Sequence, residues 1–296
     1  MNTRLLDYTM SPEKTSAELQ RIITQVEICH RKRQVLALPT HQEEQSCAIH
    51  DVAGSVTIIS DPKYGRKLNH TYGFGMFGPV GVEDLCAIEL VYGRCGPAGE
   101  TCLQPDLDIC EYADPSAFDL LSENYSVTGS ICQYQCYLAR FGNAPALHPD
   151  IEVSSTLSCS RETLIDASIN GFRSGGRDVS ILRALAHSAT ARSDTMLFSA
   201  TSNGELVGTA AMAVIDVDNC KVALLFMDSC LEHARGKGVH KAMLLERMRV
   251  AKDIGCDMAI AAAREGSGSA RNIQRAGLSK VFMCKTYTRK LVGKAE

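Results

Sequence analysis

Basic side chains and glycines are concentrated in one short segment of the sequence, LEHARGKGVHKAML at residues 231–244. The segment follows an apolar, strand-like run and opens an amphipathic helical pattern. The first N–H groups of a helix lack partners within the helix, and the helix dipole adds partial positive charge there. Gly236 and Gly238 let the backbone approach a bound group, while Arg235 and Lys237 add formal charge. The pattern predicts a phosphate-binding cradle, with an ordinary turn carrying solvated basic residues as the alternative.

A second glycine-rich junction, GFGMFGPVGVEDL, occupies residues 73–85 in the first half of the chain. It contains no arginine or lysine, and Pro79 removes one backbone N–H donor. Glu83 and Asp84 place negative charge at the start of the following helical pattern, where they would repel a phosphate. We therefore predict that this junction is a close-packed structural turn, and that the chain has one anion site, in its second half.

The elements around these junctions occur twice in the same order. Each half reads as a helix, strands in hairpins, a glycine-rich junction, a long helix, a strand, a short helix and a strand. Asn203-Gly204 between two apolar runs predicts a tight hairpin turn. The segment GNAPALHPD, at residues 142–150, has two prolines and little periodicity. We predict two α+β domains, at residues 1–142 and 151–296, joined by a linker at residues 143–150.

Composition excludes several classes of protein. With 45% apolar and 22% charged residues, the 296-residue chain is typical of a globular protein. A net charge of −3 argues against a general nucleic-acid or membrane-surface binder, which normally has a basic excess. The 13 cysteines include no CxxC pair and no zinc-like spacing, so we expect reduced thiols and no bound metal. The sequence shows neither a secretory leader nor a membrane span, and we expect a cytoplasmic protein.

The segment ARGKGVHKAML resembles the acyl-CoA pyrophosphate loop of the GNAT acyltransferase superfamily, whose pattern is Arg/Gln-x-x-Gly-x-Gly/Ala. Arg235 and Gly238 match this pattern, whereas His240 stands where the family has a small residue. The runs GFGMFGPVGVEDL, YADPSAFDLL and QYQCYLARF are similar to the degenerate N-terminal domain of tandem GNAT proteins. The resemblance implies an α+β fold of two GNAT-like domains in tandem, each a mixed, mostly antiparallel sheet flanked by helices.

The resemblance also implies a set of binding residues in the second domain. The backbone at the end of the fourth strand would hold the pantetheine arm, the loop would hold the pyrophosphate, and the short helix would flank the CoA tail. In that order, the matching positions are Ser229, Cys230 and Leu231; Arg235, Gly236, Lys237, Gly238, Val239, His240 and Lys241; and Arg271 and Asn272.

The family's acid and base positions are only partly matched. Many GNATs place a carboxylate base on the fourth strand, and Asp228 is the carboxylate at that position. Ile273 stands where the family's usual tyrosine acid is expected, and Tyr287 is a remote substitute. The alternative for Asp228 is a carboxylate that faces solvent or caps a turn.

The resemblance implies an N-acyltransferase that moves an acyl group from an acyl-CoA, normally acetyl-CoA, directly to a small-molecule amine. The alternatives are a non-catalytic protein that binds acyl-CoA or serves as a scaffold, and an O-acyltransferase of a specialised pathway. The first domain would support the site, line the acceptor pocket or mediate pairing into a homodimer. The sequence identifies no acceptor.

Overall fold

The computed structural model describes residues 14–38, 48–93, 103–142, 150–155, 159–173 and 176–290. All but one residue of the predicted linker at residues 143–150 lies outside these ranges. Helices are α1 Ser16–Leu36, α2 Val82–Gly93, α3 Pro115–Leu121, α4 Arg161–Arg173, α5 Val179–Ala191, α6 Val239–Asp253 and α7 Gly268–Arg275. Strands are β1 Ala48–Val52, β2 Ser55–Ile59, β3 His70–Tyr72, β4 Asp106–Cys110, β5 Tyr125–Tyr137, β6 Ile151–Ser154, β7 Thr195–Ser202, β8 Glu205–Val217, β9 Cys220–Cys230, β10 Met258–Ala263 and β11 Ser279–Arg289.

Local sequence signals explain several of these boundaries. The α1 helix begins with a capping box, in which the Thr15 hydroxyl accepts from the Glu18 N–H and the Glu18 carboxylate accepts from the Thr15 N–H. The predicted turn at Asn203-Gly204 joins β7 to β8, and both residues have positive φ, at 50° and 79°. This conformation is the one that favours Asn-Gly in two-residue hairpins.

The strands form one continuous sheet in the order β1-β2-β3-β4-β11-β5-β10-β9-β8-β7-β6. The pairs β3–β4 and β9–β10 are parallel and the other pairs are antiparallel, so the predicted mixed, mostly antiparallel α+β architecture is confirmed. The two halves exchange their last strands. The β5 strand of the first half pairs with β10, and the β11 strand of the second half pairs with β4.

Alternate residues of the central strands face two helical layers, as the two-residue period of a strand requires. On one face, Ala223 and Leu225 of β9 pack in a core with α6 and α7. On the other face, Val222 and Leu224 pack in a core that includes α1. A helix of the first half thus covers strands of the second half, and the sheet's centre lies where the halves meet.

Three findings bear on the predictions from composition. Every cysteine in the described residues is a free thiol. In the same residues, none of the helices is both long enough and apolar enough to cross a membrane, and no cluster of three or more His, Cys, Asp or Glu side chains has a metal-binding arrangement.

Candidate functional site

The parallel strands β9 and β10 pair along only part of their length. The pairing joins residues 222–225 with 258–261 and stops there, although β9 continues to Cys230. Met227 has a φ of 59°, and a shift in register places two β9 residues opposite Ala210 of β8. An extra residue in one strand of a pair bends that strand. The end of β9 therefore diverges from β10 and opens a V-shaped gap between them.

A buried arginine holds this bend from the side of α6. The Arg247 side chain is 0% exposed, and its Nη2 donates to the Asp228 carboxylate. Its Nη1 lies 2.8 Å from the Ala211 carbonyl oxygen and 3.3 Å from that of Phe226, next to the bulge. Its Nε donates to the Met243 carbonyl at 3.0 Å. The guanidinium thus donates hydrogen bonds to backbone carbonyls of β8, β9 and α6, and it neutralises the Asp228 carboxylate at the bend.

This ion pair fixes the charge state of Asp228. Burial raises the pKa of Asp228, but the charge of Arg247, followed by the interaction with His240 and the hydrogen bonds from both side chains, outweighs burial and leaves its pKa below the ordinary value. Burial also lowers the pKa of Arg247, yet a guanidinium titrates so far above neutrality that it stays charged. A carboxylate with a lowered pKa is a weak proton acceptor near pH 7. The geometry therefore makes Asp228 a fixed negative charge and weakens the prediction that it is a general base.

His240, the departure from the family pattern, connects three elements at this bend. Its Nε2 lies 3.5 Å from Asp228 Oδ1, and its Nδ1 lies 3.2 Å from Asn272 Nδ2 on α7. With the Asn272 amide oriented as found, its N–H donates to Nδ1, which places the ring hydrogen of a neutral imidazole on Nε2, towards Asp228. The side chain is 16% exposed. A bulky residue fits here because it turns away from the loop and fills the space between β9 and α7.

The loop ahead of α6 has the backbone geometry of an anion cradle. Gly236 and Gly238 have φ values of 78° and 88°, in the left-handed region that favours glycine. No described atom lies within 4 Å of a Cβ built at either position, so backbone conformation, rather than close packing, requires glycine here. The helix begins at Val239, and no described side chain caps it at Gly238. Its first amides therefore point to where the sequence predicts a pyrophosphate.

Strand alternation decides which backbone groups at the end of β9 face the gap. Leu231 N–H donates to the Val207 carbonyl of β8 at 2.9 Å, so Leu231 faces the neighbouring strand. Cys230 precedes it and opposes Gly208, so its N–H and C=O point away from β8, towards the side of β10. Ser229 is buried, and its hydroxyl lies 2.8 Å from that of Thr209. Of the three predicted pantetheine positions, Cys230 is the one whose backbone faces the gap.

A cavity of about 1930 Å³ begins at the gap. It is larger than the roughly 300–1,000 Å³ of typical small-ligand pockets, so it has room for two reactants side by side. Its wall contains nine of the twelve predicted cofactor residues, together with Asp228: Ser229, Cys230, Arg235, Gly236, Gly238, Val239, His240, Lys241 and Asn272.

The other three predicted cofactor residues, Leu231, Lys237 and Arg271, lie outside the cavity wall. Arg271 Nη1 donates to the Gly266 carbonyl at 2.7 Å, which ties this side chain to its own turn. Arg235 lies in the wall, and its Nη2 donates to the Gly171 carbonyl of α4 at 2.8 Å. Arg235 therefore also fixes α4 over the end of β9, a role that the sequence pattern did not indicate.

Sequence reasoning missed the side of the cavity that the first half contributes. Besides residues 127–131 of β5, that wall comes from α1, the 62–72 region and β4, and this part is polar, with residues Glu27, His30, Arg31, Gln34, Arg66, Lys67, His70, Tyr72 and Asp108. A signal was present in α1, where polar residues Glu27, Arg31 and Gln34 recur at helical spacing. Such a polar stripe on a buried helix indicates that the helix faces a polar cavity. The apolar stripe beside it, which is typical of an ordinary core helix, makes this signal easy to overlook.

The two residues considered for the acid role occupy different places. Ile273 lines the cavity and is buried, so an apolar side chain occupies the position expected for a tyrosine. Tyr287 does not line the cavity, and its ring packs edge-on against Phe118, with ring centroids 6.4 Å apart. Tyr287 is therefore not placed to donate a proton in this cavity.

Solved structures share this fold at low sequence identity. A GCN5-related N-acetyltransferase from Kribbella flavida superposes with a TM-score of 0.63 at 14% identity, covering 93% of this chain and 95% of that chain. Another from Sphaerobacter thermophilus has a TM-score of 0.56 at 17% identity, with 79% and 80% covered. A functionally unknown conserved protein from Staphylococcus epidermidis has a TM-score of 0.55 at 12% identity, with 86% and 98% covered.

Sequence comparison alone adds nothing to this, because no protein-family model and no curated protein matches the chain. The likeness is structural, and it spans both halves. The chain therefore has the fold of the GCN5-related N-acetyltransferases, and the likeness covers both of its halves.

Proposed function

We propose that the protein is an acyltransferase that uses an acyl-CoA, most simply acetyl-CoA, to acylate a small-molecule amine. The observation that carries this proposal is the gap between β9 and β10 together with the uncapped start of α6 on the same cavity. The glycines beside that helix start leave space where a Cβ would lie, which suits a diphosphate held by backbone amides. The second half would supply this cofactor side, and the first half, together with Arg177 of the second half, would supply the acceptor side.

Each residue of the site then has a role in binding or orientation. Acetyl-CoA, when bound, would supply an activated acyl group as a thioester. The Cys230 backbone would hold the pantetheine arm, and the amides from Gly236 to Val239 would hold the diphosphate. Asp228 would stabilise the positive charge that develops on the attacking nitrogen, a role that requires a fixed charge rather than a strong base. Holding both reactants in one cavity would provide the proximity that direct transfer needs.

Calorimetry with acetyl-CoA tests the cofactor half of this proposal. We expect one acetyl-CoA per chain, and we expect Arg235→Ala combined with Gly238→Asp to weaken binding by about 100-fold or more. A carboxylate beside the diphosphate is a like-charge contact costing several kcal/mol, and each 1.4 kcal/mol is tenfold in affinity. The control is Arg249→Ala, which removes an exposed arginine paired with Glu246 and Asp253 elsewhere on α6. No binding of acetyl-CoA at millimolar concentration would overturn the proposal.

A second candidate is a protein that binds acyl-CoA without catalysis. The pairing of Asp228 with Arg247 and the apolar Ile273 at the expected acid position favour this reading. Release of CoA thiol in the presence of a panel of amines and alcohols separates the candidates. Release with amines supports the N-acyltransferase, and release with alcohols alone supports O-acylation. Acetyl-CoA binding without release throughout the panel supports the non-catalytic protein.

A further inference from the structure

The cavity wall has a strong excess of positive charge. It contains nine Lys and Arg residues against three carboxylates, although the whole chain has a net charge of −3. Some of these cations, such as Arg235 and Lys241, lie by the predicted diphosphate loop. Others lie on the acceptor side, far along the chain from that loop: Arg31, Arg66, Lys67 and Arg177.

Three of the acceptor-side cations influence one another and are not fully neutralised. Arg31 Nη2 lies 3.1 Å from Glu27, so this pair largely cancels. Lys67 and Arg177 are exposed on the cavity wall. Desolvation within the cavity, followed by the charges of Arg31 and Arg177, lowers the pKa of Lys67 to about 8, although the Glu27 and Asp108 carboxylates act in the opposite direction. Like charges brought together are destabilising without a counterion. The cluster of Arg31, Lys67 and Arg177 therefore resembles a site that waits for an anion.

Polar atoms beside the cluster also lack partners, which is an independent indication of a ligand. His70 is 4% exposed and lines the cavity; its Nε2 lies 4.0 Å from Asp108 Oδ2, and neither ring nitrogen has a partner within hydrogen-bond distance among the described residues. Arg31 Nε and Gln34 Oε1 are likewise buried without partners in the described part of the chain. Native proteins leave few buried polar groups unsatisfied, and each such group calls for an explanation. Several around one cavity are explained by a bound polar molecule.

Contacts near the end of β9 involve the segments that carry Arg31 and Arg177. The His30 ring, next to Arg31 in sequence, meets the Phe226 ring edge-on, with centroids 4.7 Å apart, two residues before Asp228. The Arg177 guanidinium lies 5.5 Å from the centre of the Phe172 ring at the end of α4. Gly171 precedes Phe172 and packs against Ser229 of β9. A Cβ built at Gly171 would lie 2.8 Å from the Ser229 Cβ.

We propose that Arg31, Lys67 and Arg177 bind an anionic group on the acyl acceptor, so that the substrates are amines carrying a carboxylate or a phosphate. The identity of the acceptor class rests on the proposed acyltransferase function, but the anion site itself does not. Unpartnered His70 can offer one donor and one acceptor to the same molecule. The amine end of such a molecule would lie towards Asp228, whose carboxylate can accept a hydrogen bond from it.

Binding of simple anions tests the site without any turnover. The full-length protein, saturated with CoA to occupy the diphosphate loop, is titrated with inorganic phosphate and with acetate at constant ionic strength. We expect at least one to bind, and Lys67→Gln to weaken that binding about tenfold, since a hydrogen bond to a charged group contributes on this scale. The matched control is Lys63→Gln, an exposed lysine on the same short helix, Pro62–Lys67, that pairs with Asp61 and should change nothing. Equal binding to all three proteins, or no binding of either anion, would refute the site.

Transfer assays with matched amines then identify the chemistry of the acceptor. Glycine is compared with glycinamide, and phosphoethanolamine with ethanolamine, each with acetyl-CoA and detection of the released thiol. We expect transfer to favour the anionic member of at least one pair, and Lys67→Gln to raise the KM for it about tenfold with little change in kcat. The pair that responds distinguishes a carboxylate from a phosphate. Equal or better transfer to the neutral amines refutes the substrate class.

Failure of this inference differs from failure of the proposed function. If acetyl-CoA does not bind but the anions do, the acyltransferase proposal fails and the anion site stands. If acetyl-CoA binds and only neutral amines react, the function stands and the anionic substrate class fails. We do not expect Lys67→Gln to unfold the protein, because it removes a positive charge that lies near the positive charges of Arg31 and Arg177. The variant should be at least as stable as the wild type in denaturant unfolding.

Discussion

The two glycine-rich junctions of this molecule differ in what their backbone amides contact. At the start of α2, Gly81 N–H donates to the Asp84 carboxylate at 2.8 Å, and Val80 N–H donates to the Ser116 hydroxyl at 2.9 Å. At the start of α6, no described side chain caps the helix at Gly238. The first junction therefore supplies its own anion, whereas the second leaves its amides for one that is bound.

The two junctions also differ in how closely their glycines are packed. A Cβ at Gly73 would lie 2.9 Å from Ile28, and one at Gly75 would lie 2.7 Å from Ala117, so close packing excludes larger residues at these two positions, whereas Gly78 and Gly81 have no described atom closer than 3.9 Å. The second junction has open space at Gly236 and Gly238. The comparison shows that glycine in such a turn has two separate uses, and that the neighbouring charges distinguish them. It supports the prediction that the first junction is a close-packed structural turn.

The largest expected effect comes from replacing Arg247, the buried arginine that pairs with Asp228 behind the second junction. Arg247 and Leu90 are both the ninth residue of their helices, but Arg247 is buried and Leu90 is 57% exposed. Arg247→Met leaves the Asp228 carboxylate, which is only 17% exposed, without its partner, and this should cost about 3 kcal/mol of unfolding free energy, the lower end of the range for a buried ion pair. Leu90→Met is the matched control and should change stability by less than about 0.5 kcal/mol. Urea unfolding of both variants measures the difference.

The pH dependence of that loss checks its electrostatic origin. The pKa of Asp228 is lowered in the folded wild type, so its stabilising contribution is present above the unfolded pKa and is lost as pH falls through the folded pKa. Without Arg247, burial would raise the pKa of Asp228, and protonation would then relieve the unpaired charge. The stability gap between the wild type and Arg247→Met should therefore narrow as pH falls from about 7 to about 4. A gap that stays constant over this range would show that lost packing, not charge, is the cause.

The next effect tests whether the second loop needs the left-handed backbone. Gly238→Ala places a Cβ at a φ of 88°, which should cost about 1–2 kcal/mol and weaken acetyl-CoA binding about tenfold as the loop relaxes. Gly81→Ala is the counterpart in the first half, where the nearest atom to a new Cβ is Asp84 Oδ2 at 3.9 Å. That variant should leave acetyl-CoA affinity unchanged. If calorimetry gave equal losses for both variants, the assignment of the cofactor to the second junction would fail.

Much of this fold follows from local signals in the sequence. Turn chemistry at Asn203-Gly204, helical periodicity and the strand-to-helix junctions are short-range properties, and they predict the order of elements in both halves. The charges at Arg235 and Glu83 similarly indicate which junction suits an anion. The structure adds that Lys237 and Arg271 lie outside the cavity wall, and that a hydrogen bond to the Gly266 carbonyl ties the Arg271 side chain to its own turn.

Pairing between distant segments is what the sequence does not encode in any short pattern. The β5 and β11 strands end their halves in the same context, so the edges of β4 and β10 are near-equivalent partners for both. Which pairing wins depends on the whole sheet, and the exchanged arrangement was not predicted. The polar wall from α1 was missed for the same reason, since Glu27 and Arg31 become site residues only when α1 packs across the second half.

The smallest effect asks whether charge alone keeps the first junction from binding a cofactor. Glu83→Gln with Asp84→Asn removes the negative charge at the start of α2 and weakens its cap, at a cost of about 1 kcal/mol. Calorimetry should still give one acetyl-CoA per chain, because Ile28 and Ala117 still occupy the space beside Gly73 and Gly75. A second bound acetyl-CoA in this variant would mean that the side chains packed beside Gly73 and Gly75 can move aside, and that negative charge alone prevents binding in the wild type. The absence of a second site, with the loss of stability, would show that the first junction is closed by its side chains as well as by its charge.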